Sequence, residues 1–195
     1  MRPAIRSQSG VTLVELVVFI VLVGIAFGAL MLAFNQFGRY STDPMIRKQT
    51  LAIAESLMDE VELMPFTYCD PDDPAASTAT STASCATSED GLGVGTPPCT
   101  IGPETGESRY STTTPFDNVS DYCGFSMSGI KPIYDSVNNV SGLANYSASV
   151  LVTQAGLGGI SAADALLITV TVTAPNSTSF VLQGYRTRYA PDTAP

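Results

Sequence analysis

Three sets of side chains in this sequence have the types and spacing to do chemistry. Asp70-Pro71-Asp72-Asp73 places three carboxylates within four residues, an oxygen-rich arrangement suited to a hard cation such as calcium. No 12-residue EF-hand spacing accompanies it, and aspartates separated by proline are also ordinary turn formers. Asp117 and Asp121 would join such a site only if the fold brought them near. Cys69, Cys85, Cys99 and Cys123 lie 16, 14 and 24 residues apart and match no C-x-x-C zinc or redox pattern. Their even number reads as two disulfides of an exported chain, with all three pairings open. Glu15 stands at the start of a long apolar run, where a carboxylate at the bilayer centre would cost roughly 2.5–3.5 kcal/mol or more. It is favoured there either as an acid at a helix N-terminus or as the partner of a nearby cation.

Composition removes most enzymatic readings. The chain has 195 residues, 9 Lys+Arg against 18 Asp+Glu, no His and no Trp. Without histidine there is no Ser-His-Asp triad, no Cys-His pair and no His-ligated zinc. A net charge of −9 offers no footprint for nucleic acid. Nothing marks one carboxylate pair above another for glycoside hydrolysis. We expect no enzyme and no cofactor, with calcium at Asp70, Asp72 and Asp73 as the single metal candidate.

The elements that must position these groups are legible in outline. Leu16 to Phe34 is a run of 19 residues without a charged or hydrogen-bonding side chain, and as a helix spans roughly 28 Å, close to the hydrocarbon core of a bilayer. Arg2 and Arg6 before it favour a cytoplasmic N-terminus, with the rest of the chain on the far side. The run is too long for an ordinary secretory signal. Asp43-Pro44 should kink or restart the helix, Asp43 as N-cap and Pro44 at the first helical position. Ile46, Ile53, Leu57, Val61 and Met64 then recur on one helical face, and Pro65 closes the segment. Residues 66–125 lose periodicity, are rich in Ala, Ser and Thr, and read as a long disulfide-held loop. Residues 126–145 read as a second irregular connection. Alternation over 146–153 and 166–173, a turn at Asn176-Ser177-Thr178 and a run from Phe180 to Tyr189 predict a three-stranded antiparallel meander over 146–189. Tyr185, Arg186, Arg188 and Tyr189 put two cations beside aromatics on the last strand, either an edge guarded by charge or a partner contact. The fold class is α+β, a long N-terminal helix over 11–64 (16–34 transmembrane, 44–64 amphipathic) packed on a sheet within a head of residues 65–195.

Gly10-Val11-Thr12-Leu13-Val14-Glu15-Leu16, preceded by a short basic leader, resembles the class III signal of type IV pilins and type II secretion pseudopilins. The resemblance implies a pilin-like fold, cleavage of residues 1–10 after Gly10, and methylation of the new N-terminal Val11. It implies that Glu15, at mature position five, docks each subunit by meeting the Val11 amine of a neighbour. Val11 departs from the phenylalanine commonest in the family, and Gln8-Ser9 from the usual basic residue before the glycine. Three further stretches, 49–57, 64–74 and 184–189, are similar to minor pilins of the mannose-sensitive haemagglutinin (MSHA) type. The implied partners are a prepilin peptidase/methyltransferase, a major pilin and other minor pilins, an inner-membrane assembly platform and the inner membrane itself. The implied location is the bacterial inner membrane with a periplasmic head, then a pilus involved in cell adhesion. A type II secretion pseudopilin is the alternative with the same stem, and a signal-anchored periplasmic binding protein or enzyme a third.

Overall fold

Thr12 begins the first element. Its hydroxyl accepts a 3.3 Å hydrogen bond from the Glu15 N–H, satisfying one of the donors that a helix start leaves unpaired. Glu15 itself lies in the first turn, where the positive end of the helix dipole favours an acid. The structure is a computed structural model that describes Gly10, residues 12–87, Cys99 and residues 102–188, and of residues 35–43 the backbone alone. Helix α1 runs Leu13–Glu62 and contains Pro44. The expected restart at Pro44 does not occur. Proline deletes one rung of the hydrogen-bond ladder, at about 3 kcal/mol, and helical backbone on both sides continues across the gap.

The chain divides into two compact units, Met1–Ile46 and Arg47–Pro195. In the first, Leu13–Phe34 is 22 residues of helix long and apolar enough to cross a membrane, and none of it is buried by the rest of the protein. In the second, the last four turns of α1 bury Thr50, Ile53, Ala54, Leu57, Met58 and Val61. These positions follow the 3–4 spacing of one helical face, so the apolar stripe is the packed side, as the periodicity predicts. The helix ends where Met64 N–H bonds Val61 C=O and Pro65 follows without a donor to continue.

The sheet has four antiparallel strands in the order β1-β2-β3-β4: Ser126–Ser128, Ser147–Gln154, Ala165–Thr173 and Ser179–Thr187. The predicted meander supplies the last three. The fourth, β1, lies in a stretch expected to be irregular, because Ser-Met-Ser is too short and polar to show a period. It exists by pairing Met127 with Ala148. Register sets Val150, Val170 and Leu182 side by side, with Val152, Ile168 and Gly184 in the next row of the same face. Four of these branched side chains, Val150, Val152, Ile168 and Val170, are buried. Gly184 has a local reason. A Cβ there would meet the Met58 sulfur and the Glu62 carboxylate, so the missing side chain lets the end of α1 approach the sheet.

Between helix and sheet the chain is mostly turns, with Phe66, Val119 and Tyr122 buried and Phe116 packed edge-on to Tyr122. Disulfides join Cys69 to Cys85 and Cys99 to Cys123, choosing one of the three open pairings. Around the first lies a small cluster of Cys69, Ala76 and Ala79, too little apolar surface to order this stretch by itself. Closing loops of 16 and 24 residues contributes about 3 kcal/mol each by restricting the unfolded chain.

Candidate functional site

Two regions hold the residues singled out by the sequence. On the stem, Gly10 and Glu15 are exposed, and the apolar residues from Leu16 to Phe34 form an uncovered surface. Val11 and the leader residues 1–9 lie outside the described residues, and so does the proposed bond between the Val11 amine and Glu15. Gly24 and Gly28, four residues apart, have no neighbouring side chain within reach of an added Cβ. Such a small-xxx-small pair lets another helix approach closely in lipid, and that spacing is a signal readable in the sequence but absent from the expectations above. By length and composition this surface suits a cover of lipid or of other helices.

In the head, the three clustered aspartates have different partners. Asp73 turns to the backbone: its Oδ1 accepts from Ala75 N–H, and its Oδ2 from the Ala86 and Thr87 N–H groups at 2.6 and 3.0 Å. Those bonds hold its carboxyl below the usual carboxylate range. Asp73 therefore pins the loop that Cys69–Cys85 closes. Asp72 N–H caps Asp70 Oδ1. Asp70 joins a second set, because the fold brings Asp117 and Asp121 near it together with Glu104 and Glu107, two acids that no spacing singled out. Carboxylate oxygens of Asp70, Glu107 and Asp117 lie within 4.8 Å of one another, as do those of Glu104, Glu107 and Asp121. Burial, followed by neighbouring carboxyls, pushes Glu107 up to about 9 and Asp70 to about 7. Burial is likewise the main cause that lifts Asp121 to about 7 and Asp117 to about 6.

A third cluster ties the stem to the loop. Glu60 on α1 receives both Arg109 Nε and Nη2, at 2.6 and 2.7 Å, and the Tyr122 hydroxyl at 2.8 Å. Arg109 Nη1 donates to the Lys131 and Pro132 carbonyls, and its guanidinium lies 5.6 Å from the ring centres of Tyr110 and Phe125. Burial alone would lower the Arg109 pKa, but the Glu60 contacts raise it above its ordinary value. Glu60 borders the apolar face of the amphipathic segment, and that position was its only signal. Arg188, expected on an edge strand, instead lies over Phe66 and Tyr68, 4.0 and 4.7 Å from their ring centres, and donates to Ala163 O and Asp164 Oδ1. Its charge is spent inside the molecule. Tyr189 lies outside the described residues.

Comparison with protein-family models, with curated proteins and with solved structures finds no match. Function must therefore be argued from the residues.

Proposed function

We propose that this chain is a pilin-like assembly subunit, a minor pilin of an MSHA-type pilus, whose mechanism is polymerisation rather than catalysis. The observation that carries the reading is the stem: an uncovered 22-residue apolar helix, Leu13–Phe34, that starts with an acid in its first turn five residues after Gly10. A plain membrane anchor explains the apolar length but has no use for Glu15 so close to the hydrocarbon. In a filament, stems leave the lipid and pack together. A carboxylate that demands a cationic partner then fixes the stagger between neighbours, as buried polar groups do in coiled coils. Thr12 capping of the Glu15 N–H makes residue 12 the helix start and leaves the carboxylate exposed for a partner. The α+β head with its disulfide-held loop would be the part displayed outside. Two of the stretches similar to MSHA-type minor pilins meet in this head, where Arg188 stacks on Phe66 and Tyr68.

The test is the intact mass of the protein from its native cells, followed by Glu15→Leu. Processing predicts loss of residues 1–10 and one added methyl group. Glu15→Leu should still insert in the membrane but fail to enter filaments. A full-length mass, or filaments that take up Glu15→Leu as well as the wild type, would reduce the stem to an anchor. Recovery with a secretion complex instead of a pilus would favour the pseudopilin reading.

A further inference from the structure

The loop between helix and sheet has a charge imbalance its own side chains do not correct. Residues 66–125 contain nine acids (Asp70, Asp72, Asp73, Glu89, Asp90, Glu104, Glu107, Asp117 and Asp121) and one base, Arg109. That base is committed to Glu60. The carboxylates nevertheless converge: Glu107 belongs to both close triads, with Asp70 and Asp117 in one and with Glu104 and Asp121 in the other. Like charges gathered this way repel unless something positive sits among them.

Orphaned oxygens in the same turn point to what is missing. Asp121 is 1% exposed. Its Oδ2 accepts from the Asp117 and Asn118 N–H groups, while its Oδ1 has no donor. Asp117 Oδ1 also lacks one. Asn118 is wholly buried, and its Nδ2 donates to Thr67 Oγ1. Thr67 gives its own proton to the Cys69 carbonyl, so its oxygen can only accept. That fixes the Asn118 amide with its Oδ1 as the end left without a partner. Buried acceptors are nearly always satisfied, and the orphaned oxygens of Asp117 and Asp121, two members of the close triads, are open to a cation.

We propose that the pocket around Glu107 is a calcium site, with Asp70, Asp117 and Asp121 supplying carboxylate oxygens beside it. Carboxylate oxygens gathered within 4.8 Å of one another can share a single hard cation. Calcium is the choice because it accepts roughly six to eight oxygens in irregular geometry, whereas magnesium demands a near-ideal octahedron and keeps several of its waters. A cleft of about 290 Å3, lined by Asp70, Glu104, Glu107 and Thr114, gives access from solvent. Both disulfides flank the site: Cys69 precedes Asp70, and the Cys99–Cys123 loop carries the other four acids. The ion would tie the two disulfide-closed parts of the loop together at their acidic side chains. The proposal does not depend on how the stem is used.

The test is calorimetric titration of the full chain in detergent micelles at pH 7.5, stripped with EGTA, with calcium chloride and separately with magnesium chloride. One calcium should bind in the range of extracellular modules, about 10⁻⁴–10⁻³ M, or tighter. Glu107→Gln and Asp70→Asn should each weaken binding roughly 10-fold or more, and Asp59→Asn, an exposed acid on α1, should not. Should Glu107→Gln fail to fold by circular dichroism, Asp70→Asn and Asp117→Asn decide by the same criterion. No binding at about 10 mM calcium would overturn the proposal, leaving shared protons as what holds the acids together. Binding that survives these substitutions would overturn it as well. Magnesium binding as tight as calcium would overturn the choice of ion.

Discussion

Replacing Glu60 with alanine removes the only carboxylate that Arg109 pairs with among the described residues. The Arg109 side chain is 6% exposed and that of Glu60 18%, so the pair sits nearer the buried limit than the surface one. Removing one partner of a buried pair costs about 3–5 kcal/mol, since the remaining charge stays out of water. The partial exposure of Glu60 favours the lower end, about 3 kcal/mol. Tyr122, buried, loses the acceptor of its hydroxyl, which adds about 1 kcal/mol. The expected loss is then about 4 kcal/mol. For a unit of this size that corresponds to a fall in Tm of roughly 8–16 °C. The assay is thermal unfolding of the full chain in micelles by circular dichroism, with disulfides intact. A double variant, Glu60→Met with Arg109→Met, should recover most of the loss because no charge is left unpaired. A fall of less than roughly 4 °C for Glu60→Ala would mean that water screens the pair as on an open surface, and the reasoning would fail.

Three further outcomes are expected. In the calcium-free chain, Asp70, Asp117, Asp121 and Glu107 have carboxyls raised above their ordinary values, chiefly by burial. Such groups favour the fold fully below about pH 4 and withdraw that support as pH rises through their folded values of about 6 to 9. Tm measured in EGTA should therefore fall from pH 5 to pH 9, and a flat profile would contradict the burial of these acids. Cys99→Ser with Cys123→Ser should cost about 3 kcal/mol by denaturant titration while the sheet's circular dichroism signal persists; complete loss of strand signal would show that the sheet depends on the bridge. Leu57→Ala, at a position 3% exposed on the packed face of α1, should cost about 2–4 kcal/mol in the same titration. A loss under about 1 kcal/mol would mean the helix does not rest on the sheet as described.

The elements with a repeating pattern were readable in advance. The helix face of Ile53, Leu57 and Val61 and the alternation in β2 and β3 are local, periodic and long enough to count. What escaped was whatever depends on partners far along the chain. β1 is defined by its neighbour rather than by its own three residues. Arg109 meets Glu60 across 49 positions, and no spacing rule links them. The acidic site shows both sides of this limit. Asp70 was conspicuous because Asp72 and Asp73 stand beside it in the chain; Asp73 serves the backbone, and Glu104 and Glu107, which line the same cleft, arrive from a loop more than thirty positions later. At Pro44, where a kink or a restart was expected, the helix does not restart, for the opposite reason. The proline's signal is local, and a long helix on either side outweighed it.

The two bridges join first to second cysteine and third to fourth, so neither loop encloses or crosses the other. This has a consequence for biogenesis. If the chain beyond the stem crosses a membrane in sequence order, Cys69 appears first, and its proper partner is the next thiol to appear. The same holds for Cys99 and Cys123. An oxidant that joins thiols in order of arrival, with no editing of wrong pairs, yields the native set. All four thiols also precede residues 147–187, which build the long strands, so neither ring has to wait for them. Maturation of this head should therefore depend on an oxidase but not on a disulfide isomerase.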